Sequence, residues 1–153
     1  MAINWILKKF EELTLAELYA ILQLRNEVFV VEQKCPYQDA DNKDTGSWHF
    51  MGWQNERLMA YTRIIPPGIS FSECSIGRVA SSPLVRGTGI GRELMKRSIE
   101  QAYTLFNGMP VRIGAQLYLR KFYNSFGFQQ ASDIYLEDDI EHIEMLLPGR
   151  FEV

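Results

Sequence analysis

A glycine-rich loop joins an apolar stretch to an amphipathic stretch within residues 79–94. Three alternating glycines lie there between two arginines: Arg86, Gly87, Gly89, Gly91 and Arg92. Such glycines let the backbone approach a ligand closely, with several N–H groups pointing the same way. The first turn of the following helix adds unpaired N–H donors and the positive end of its dipole, and arginines add charge-assisted hydrogen bonds. The segment therefore predicts a strand, a diphosphate-binding loop and a helix in succession.

Two better-known phosphate-binding loops do not fit these residues. The P-loop requires Gly-Lys followed by Ser or Thr, whereas Gly91 precedes Arg92 and Glu93. The dinucleotide-binding fingerprint needs a different glycine spacing and an acidic residue at the end of the next strand, and residues 111–116 contain neither Asp nor Glu. A plain surface turn is the remaining alternative, and alternating glycines beside two arginines at a helix start fit it poorly.

The composition excludes several classes of function. Acidic and basic residues interleave, the net charge is −3 and there is no basic stripe, so nucleic acid is not an expected partner. Cys35 and Cys74 are too few for a disulfide framework and predict free thiols. The chain starts without a signal-peptide layout and has no apolar run long enough to span a bilayer, so we expect a cytoplasmic protein without a membrane partner. We expect one domain, residues 1–153.

The pattern of elements predicts an α/β protein of the α+β type, with one mixed sheet flanked by helices. Thr14 and Glu17 form a capping box that begins the first helix. Apolar residues then repeat at helical spacing, with Arg25 on the same stripe: Leu15, Leu18, Tyr19, Leu22 and Phe29. The predicted strands cover residues 4–9, 48–54, 57–65, 73–80, 111–116, a segment from residue 128, and 143–147. A second helix is predicted directly after the glycine loop, and a third over residues 117–126. Residues 35–47 are predicted to form a loop.

Two motifs resemble those of a known superfamily. Residues 86–91 resemble the Arg/Gln-x-x-Gly-x-Gly/Ala loop of the GNAT superfamily of acetyl-CoA-dependent N-acetyltransferases. Residues 122–128 are similar to its Phe-Tyr-x-x-x-Gly-Phe segment, in the right order and at the expected distance. Further segments resemble the small bacterial ElaA-like branch, so that the resemblance covers nearly the whole chain: residues 24–33, 35–41, 113–116 and 135–145.

This resemblance implies a fold and a co-substrate. The fold is that of acyl-CoA N-acyltransferases, with about seven strands flanked by about four helices and a splay between strands four and five. It implies that the pantetheine arm of acetyl-CoA pairs with the edge of strand four at Val79, Ala80 and Ser81. It also implies that the diphosphate binds the loop and helix start: Arg86, Gly87, Thr88, Gly89, Ile90, Gly91 and Arg92.

Tyr123 matches the tyrosine that acts as general acid near the thioester sulfur in many relatives. A phenol titrates near pH 10 in model peptides, so it is neutral and able to donate a proton at pH 7. The alternative is structural, because a tyrosine between Phe122 and Phe126 can simply pack and bury its hydroxyl. Both interpretations stay open at the level of sequence.

The sequence does not single out a general base. Glu73 matches a position from which relatives sometimes supply a carboxylate, and its alternative is an exposed charge at the end of a strand. His49 and His142 have a suitable side chain, but histidines in apolar or strand contexts are more often structural. Ordered water is the remaining candidate, and the family does not require one fixed base.

An acidic segment follows the first helix and holds Asp39, Asp41 and Asp44. It fails the calcium-loop template, and the histidines and cysteines lack metal-ligand spacing, so no metal is expected. The segment is either a solvated loop or one wall of the acceptor cleft that attracts a cationic amine. Three charged residues could line the same cleft or pair on the surface: Arg25, Glu27 and Glu32.

The function implied is direct transfer of an acetyl group from acetyl-CoA to a primary amine in a ternary complex. The acceptor is a small-molecule amine or an exposed amino group, and the resemblance does not name it. A non-catalytic acyl-CoA-binding or sensing module is the alternative. A homodimer is an expectation by analogy alone.

Overall fold

A computed structural model describes residues 2–151, which form eight strands in two antiparallel sheets. The first sheet has the order β1-β2-β3-β4, and the second has the order β5-β8-β6, with β7 also paired to β8. The strands are β1 (Asn4–Lys9), β2 (Trp48–Gln54), β3 (Arg57–Ile65), β4 (Ser75–Ser81), β5 (Val111–Gln116), β6 (Gln129–Gln130), β7 (Tyr135–Glu137) and β8 (Ile140–Leu147). The mixed α/β fold is thereby confirmed, with one strand more and one helix fewer than predicted. The strands form two antiparallel sheets, however, where one mixed sheet was expected.

The two sheets meet at one point and then separate. Cys74 and Val111 form a single parallel bridge, and the N–H of Arg112 donates to the carbonyl of Cys74 at 3.0 Å. Beyond this bridge no ladder joins β4 to β5 in the described part of the chain. The splay predicted between strands four and five is therefore confirmed.

Three helices pack against the sheets: α1 (Leu15–Arg25), α2 (Ile90–Leu105) and α3 (Arg120–Asn124). α1 begins at the predicted capping box, in which Thr14 Oγ1 accepts from the N–H of Glu17 at 3.1 Å and Glu17 Oε1 accepts from the N–H of Thr14 at 2.8 Å. The helix continues in wider π-helical turns, Asn26–Glu32. Short 3₁₀ turns cover Phe10–Glu12, Asp44–Gly46, Pro83–Val85 and Leu117–Leu119, so the last predicted helix is divided between a 3₁₀ turn and α3.

The core lies between α2 and the strands. One face of α2 is buried, and its apolar members join one cluster with residues of β2 to β5 and β8. Ser98 is buried on the same face, where its hydroxyl bonds to the Leu94 carbonyl at 2.7 Å and to the Thr62 hydroxyl at 2.7 Å. Both polar groups are thus satisfied inside an apolar layer.

The predicted apolar stripe of α1 is wrong at three positions, whereas Leu18 and Phe29 are half-buried. Leu15 is 87 % exposed and Tyr19 is 71 % exposed, and Leu22 is exposed as well. The buried positions keep helical spacing but start from another residue: Ile21, Leu24, Arg25 and Val28. A fully buried arginine breaks the apolar pattern on the true inner face, and for this reason hydrophobicity alone selected the wrong side of the helix.

Two tight hairpins set the strand registers. Asn55 and Glu56 join β2 to β3, and Asp138 and Asp139 join β7 to β8; all four residues have positive φ, between 49° and 65°. Two successive residues in this region are typical of type I′ turns, whose twist matches that of the flanking strands. Asp138 and Asp139 therefore form a hairpin tip, and β8 begins three residues earlier than the predicted strand over residues 143–147.

Candidate active site

The splay between β4 and β5 opens into a cavity of about 960 Å³. Its walls come from five parts of the chain: the π-helical turns, the segment after them, the edges of β4 and β5, α3 and the β7–β8 hairpin. The residues used below are Glu32, Asp41, Val79, Ser81, Arg86, Tyr123, Glu137 and His142. Residues predicted for cofactor binding and for catalysis therefore meet in one cavity.

A bulge shapes the edge of β4 that faces this cavity. Tyr61 is paired with Ala80 and Arg63 with Gly77, so that two residues of β4 stand against one of β3. Arg78 in the bulge has a φ of +49°, a conformation that costs a non-glycine residue roughly 1–2 kcal/mol. Ion pairs to its guanidinium, described below, help to hold this residue in place.

The three residues predicted to meet the pantetheine arm divide between two faces of β4. Val79 and Ser81 line the cavity, whereas Ala80 is buried in the cluster formed with α1. This follows from the alternation of side chains along a strand. In the described part of the chain, the edge of β4 beyond the bridge has no strand partner on the cavity side, so its backbone groups are available to an extended ligand.

The glycine loop presents unpaired backbone donors. Gly87 has a φ of +80° and Gly89, the N-cap of α2, has a φ of +86°, which explains two of the glycines. The N–H of Glu93 donates to the carbonyl of Gly89 at 3.2 Å. Within residues 2–151, the N–H groups of residues 87–92 have no protein acceptor. Together with the helix dipole, these donors make an anion site next to Arg86 on the cavity wall.

Gly91 has no structural explanation within the protein. Its φ is not positive, and a Cβ built on it would meet no atom within 4 Å. A glycine in a helix costs up to about 1 kcal/mol relative to alanine. The open space beside Gly91 is therefore consistent with close approach of a ligand to the helix start.

The two arginines beside the loop have different surroundings. Arg86 donates to the carboxylate of Glu32 and, at 3.0 Å, to the carbonyl of Ser81. The hydrogen bond that Arg86 donates to Glu32 raises the pKa of Arg86, so this cation is permanent and lies at the cavity. Arg92 instead donates to Ser125 Oγ at 3.0 Å and lies over the Phe126 ring at 4.8 Å, which ties α2 to the end of α3.

Tyr123 is 6 % exposed and lies between aromatic rings at the cavity wall. Its ring makes edge contacts with Phe122 at 5.2 Å and with Phe128 at 5.9 Å. The hydroxyl makes no hydrogen bond to any other described residue. Burial raises the pKa of Tyr123 to about 12, so the phenol is neutral and its proton is available to a ligand.

The three carboxylates of the acidic segment are paired in the structure, because three arginines neutralise them. Arg25 contacts Asp39 at 2.8 Å and Asp44 at 2.7 Å, and Arg63 holds Asp41 through two bonds of 2.7 and 2.8 Å. Arg78 adds a contact to the second oxygen of Asp39 at 2.8 Å. We call these six residues the arginine–aspartate network. It fixes the segment against β3 and β4, and Asp41 alone of its carboxylates lines the cavity.

Two of the three candidate bases are placed outside the cavity wall. His49 is fully buried, and because a carbonyl can only accept, its Nε2–H donates to the carbonyl of Asp44 at 2.9 Å while Nδ1 accepts from the Tyr61 hydroxyl at 2.7 Å. Burial lowers the pKa of His49. The carboxylate of Glu73 is held by Arg112 at 3.1 Å, which lowers the pKa of Glu73. Neither side chain lines the cavity.

His142, the third candidate base, lines the cavity, although the sequence alone favoured a structural role for it. The signal that places it there is the register of β8, in which it stands opposite Gln116 of β5 and Tyr135 of β7. No local motif carries that information. Among residues 2–151 no three His, Cys, Asp or Glu side chains gather in a metal-binding group, and none of the helices there could cross a membrane.

Comparisons of the sequence and of the structure with known proteins point to the same family. Residues 17–148 match the family model described as an acetyltransferase (GNAT) domain. The protein ElaA of Escherichia coli is 45 % identical over 145 residues, which cover 94 % of this chain and 95 % of that protein. The crystal structure of an acyl-CoA N-acyltransferase from Pseudomonas aeruginosa superposes with a TM-score of 0.92 at 45 % identity, over 95 % of this chain and 99 % of that one. The crystal structure of E. coli ElaA gives 0.89 at 42 % identity over the same shares.

Proposed function

The chain belongs to the GNAT acetyltransferase family, and from that premise we propose that it transfers an acetyl group from acetyl-CoA directly to a primary amine. The observation that carries this proposal is the row of unpaired N–H groups at residues 87–92, beside a cavity bordered by an unpaired strand edge. The row suits the diphosphate, and the edge of β4 suits the amide-containing pantetheine arm. Arg86 adds a cation next to the phosphates.

The chemical step needs few protein groups. The cavity holds the amine and the thioester close together, which removes much of the entropic cost of their encounter. Backbone N–H groups at the bulge of β4 polarise the thioester carbonyl. The amine nitrogen attacks the carbonyl carbon, the carbon–sulfur bond breaks, and the departing thiolate takes the proton of Tyr123. The nitrogen then gives up its surplus proton, which returns the phenolate of Tyr123 to its neutral form. The products are an acetylated amine and coenzyme A.

Release of the coenzyme A thiol tests this function. The purified chain is incubated with acetyl-CoA and each member of a panel of primary amines that includes polyamines, amino sugars, amino acids and lysine peptides. We expect thiol release that depends on the amine, with the acetylated product seen by mass spectrometry. Tight binding of acetyl-CoA without turnover of any amine would instead support the non-catalytic acyl-CoA-binding module.

Gly91→Ala separates binding from folding. The added methyl group enters the space proposed for the phosphates, so we expect the Kd for acetyl-CoA to rise at least about tenfold, which corresponds to about 1.4 kcal/mol. Because the site is helical and open, the Tm should stay the same or rise. Isothermal calorimetry and thermal unfolding measure the two quantities. Lys96→Ala on the exposed face of the same helix is the control, and unchanged affinity in Gly91→Ala would place the phosphates elsewhere.

Glu32→Gln tests the role of Arg86. In this structure Glu32 holds the guanidinium that is proposed to meet the phosphates, so acetyl-CoA must compete with a carboxylate. The pair is about 40 % exposed and worth no more than about 1 kcal/mol, so we expect the Kd to fall by up to about fivefold. The control is Glu93→Gln, which breaks the exposed pair with Arg97. Weaker binding in Glu32→Gln would mean that this pair assists the site.

A further inference from the structure

Removal of a proton from the acceptor ammonium is the one step for which the proposed function has no residue. Of the two histidines in the chain, His142 lies on the cavity wall. Histidine is the side chain whose ordinary pKa suits proton transfer near neutral pH. His142 is 7 % exposed and its ring stacks on that of Tyr135, with centroids 5.8 Å apart and an interplanar angle of 25°. The ring is therefore held in a fixed orientation.

The hydrogen bonds of this ring determine which nitrogen is the base. Nδ1 lies 2.7 Å from the carbonyl oxygen of Ile140. A carbonyl oxygen can only accept, so Nδ1 carries the proton and the neutral ring keeps its lone pair on Nε2. Nε2 lies 3.4 Å from Glu137 Oε2, close enough for the carboxylate to stabilise an imidazolium once Nε2 has taken up a proton. This is the arrangement of an oriented base with a neighbouring negative charge.

Three of the other acids on the cavity wall are already engaged by arginines, and the fourth, Asp138, is exposed at the tip of the β7–β8 hairpin. Asp41 is held by Arg63 and Arg78, and Glu32 by Arg86. Glu144 contacts Arg112 at 3.2 Å. A carboxylate held in this way is a weak proton acceptor, because the cation stabilises its charged form. The imidazole therefore stands apart from these groups as a base.

We propose that Nε2 of His142 accepts the proton of the acceptor ammonium and that Glu137 is the positioning residue that stabilises the resulting imidazolium. The inference rests on the proposed function. In this step an N–H bond of the ammonium breaks, its proton bonds to Nε2, and the freed lone pair of the nitrogen attacks the thioester carbonyl. The ring faces Glu137 and Tyr135 from β7 and the neutral Gln116 from β5.

The test uses two acceptors that differ in basicity. The first is the primary amine turned over fastest in the panel above, and the second is its analogue fluorinated on the carbon beside the amino-bearing carbon, which is far less protonated at pH 7. His142→Asn keeps a donor for the Ile140 carbonyl and removes the nitrogen that acts as the base. We expect kcat/KM for the basic amine to fall about 100-fold. The fluorinated amine is already largely neutral at pH 7 and does not need a base before it attacks. For this amine the fall in kcat/KM should be below about fivefold.

Controls separate this role from a structural one. Glu141→Gln, at the exposed neighbouring position of β8, should leave both rates unchanged. Binding of acetyl-CoA to His142→Asn, measured by calorimetry, should be within about twofold of the parent. Equal losses for the two amines, or no loss for either, would overturn the proposal while leaving acetyl transfer itself intact. Absence of turnover with every amine in the parent chain would instead overturn the proposed function, and this inference with it.

Glu137→Gln gives a second readout that does not depend on the folding of a buried variant, because Glu137 is a largely exposed side chain. Loss of the carboxylate removes the group that favours the imidazolium. We therefore expect kcat/KM for the basic amine to fall about tenfold in Glu137→Gln, and that for the fluorinated amine to change by less than about twofold. Equal falls for the two amines, or no fall for either, would remove Glu137 from the positioning role.

Discussion

Replacing Arg25 with methionine is expected to lower the free energy of unfolding by about 3–5 kcal/mol. The guanidinium is fully buried and bonds to Asp39 and Asp44, whose side chains are only 13 % exposed. Methionine fills a similar length of the site but leaves both carboxylates without one of their cations. A buried charge that loses its partner costs far more than an exposed one. Urea unfolding followed by circular dichroism measures the change.

Arg120→Met is the matched control for this experiment. Arg120 is exposed at the start of α3, where its guanidinium contacts the side-chain oxygen of Gln130 at 3.3 Å. Loss of this contact should lower the free energy of unfolding by less than about 0.5 kcal/mol. If Arg25→Met were no more costly than Arg120→Met, the arginine–aspartate network would not stabilise the fold.

The same network determines how the free energy of unfolding depends on pH. Burial by itself would raise the carboxyl pKa values of Asp41 and Asp44, but hydrogen bonds and charges from Arg63 and Arg25 hold both below the usual range. A carboxyl group with a depressed folded-state pKa contributes stability above its unfolded pKa of about 4, and this contribution is lost as the pH falls further. The difference in stability between the parent and Arg25→Met should therefore shrink between pH 5 and pH 3.

Local signals predicted the parts of this fold that depend on neighbouring residues. The capping box at Thr14 and the glycine loop are set by contacts within a few positions. The turn at residues 55 and 56 is local as well, because its two-residue hairpin fixes the register of β2 and β3. These features were visible because the sequence that encodes them is contiguous.

The arginine–aspartate network could not be predicted in this way. Arg25, Arg63 and Arg78 come from α1, β3 and β4, and their partners come from a single loop. Each arginine alone resembles a surface charge. Their convergence requires the completed sheet, and it buries Arg25 on the inner face of α1, while Leu15 and Tyr19 face solvent.

The candidate site shows the same division. Val79, Ser81, Arg86 and Tyr123, which the motifs single out, line one cavity. The motifs did not indicate that Arg92 would be engaged by the end of α3. They also gave no prominence to His142, because its place depends on pairing between strands that are separated by more than twenty residues. Strand pairing therefore determines which side chains of β8 reach the cavity, and a single sequence does not reveal that pairing.

Replacing Tyr123 with phenylalanine is expected to lower kcat by about 100-fold or more, while the Kd for acetyl-CoA changes by less than about twofold. The hydroxyl is the group proposed to protonate the departing thiolate, and without it the thiolate must leave as an anion or wait for water. Within residues 2–151 this hydroxyl has no hydrogen-bond partner, so its loss removes no protein contact. The Tm should therefore stay the same, and reduced activity would not reflect unfolding.

Steady-state thiol release with saturating amine gives kcat, and calorimetry gives the Kd for acetyl-CoA. Tyr19→Phe on the exposed face of α1 is the control, because it removes the same hydroxyl at a residue outside the cavity wall. Unchanged kcat in Tyr123→Phe would exclude Tyr123 as the general acid. A rise in Kd equal to the fall in kcat/KM, with kcat itself unchanged, would assign the hydroxyl to binding, because a group that acts only as the leaving group departs stabilises the transition state more than the ground state.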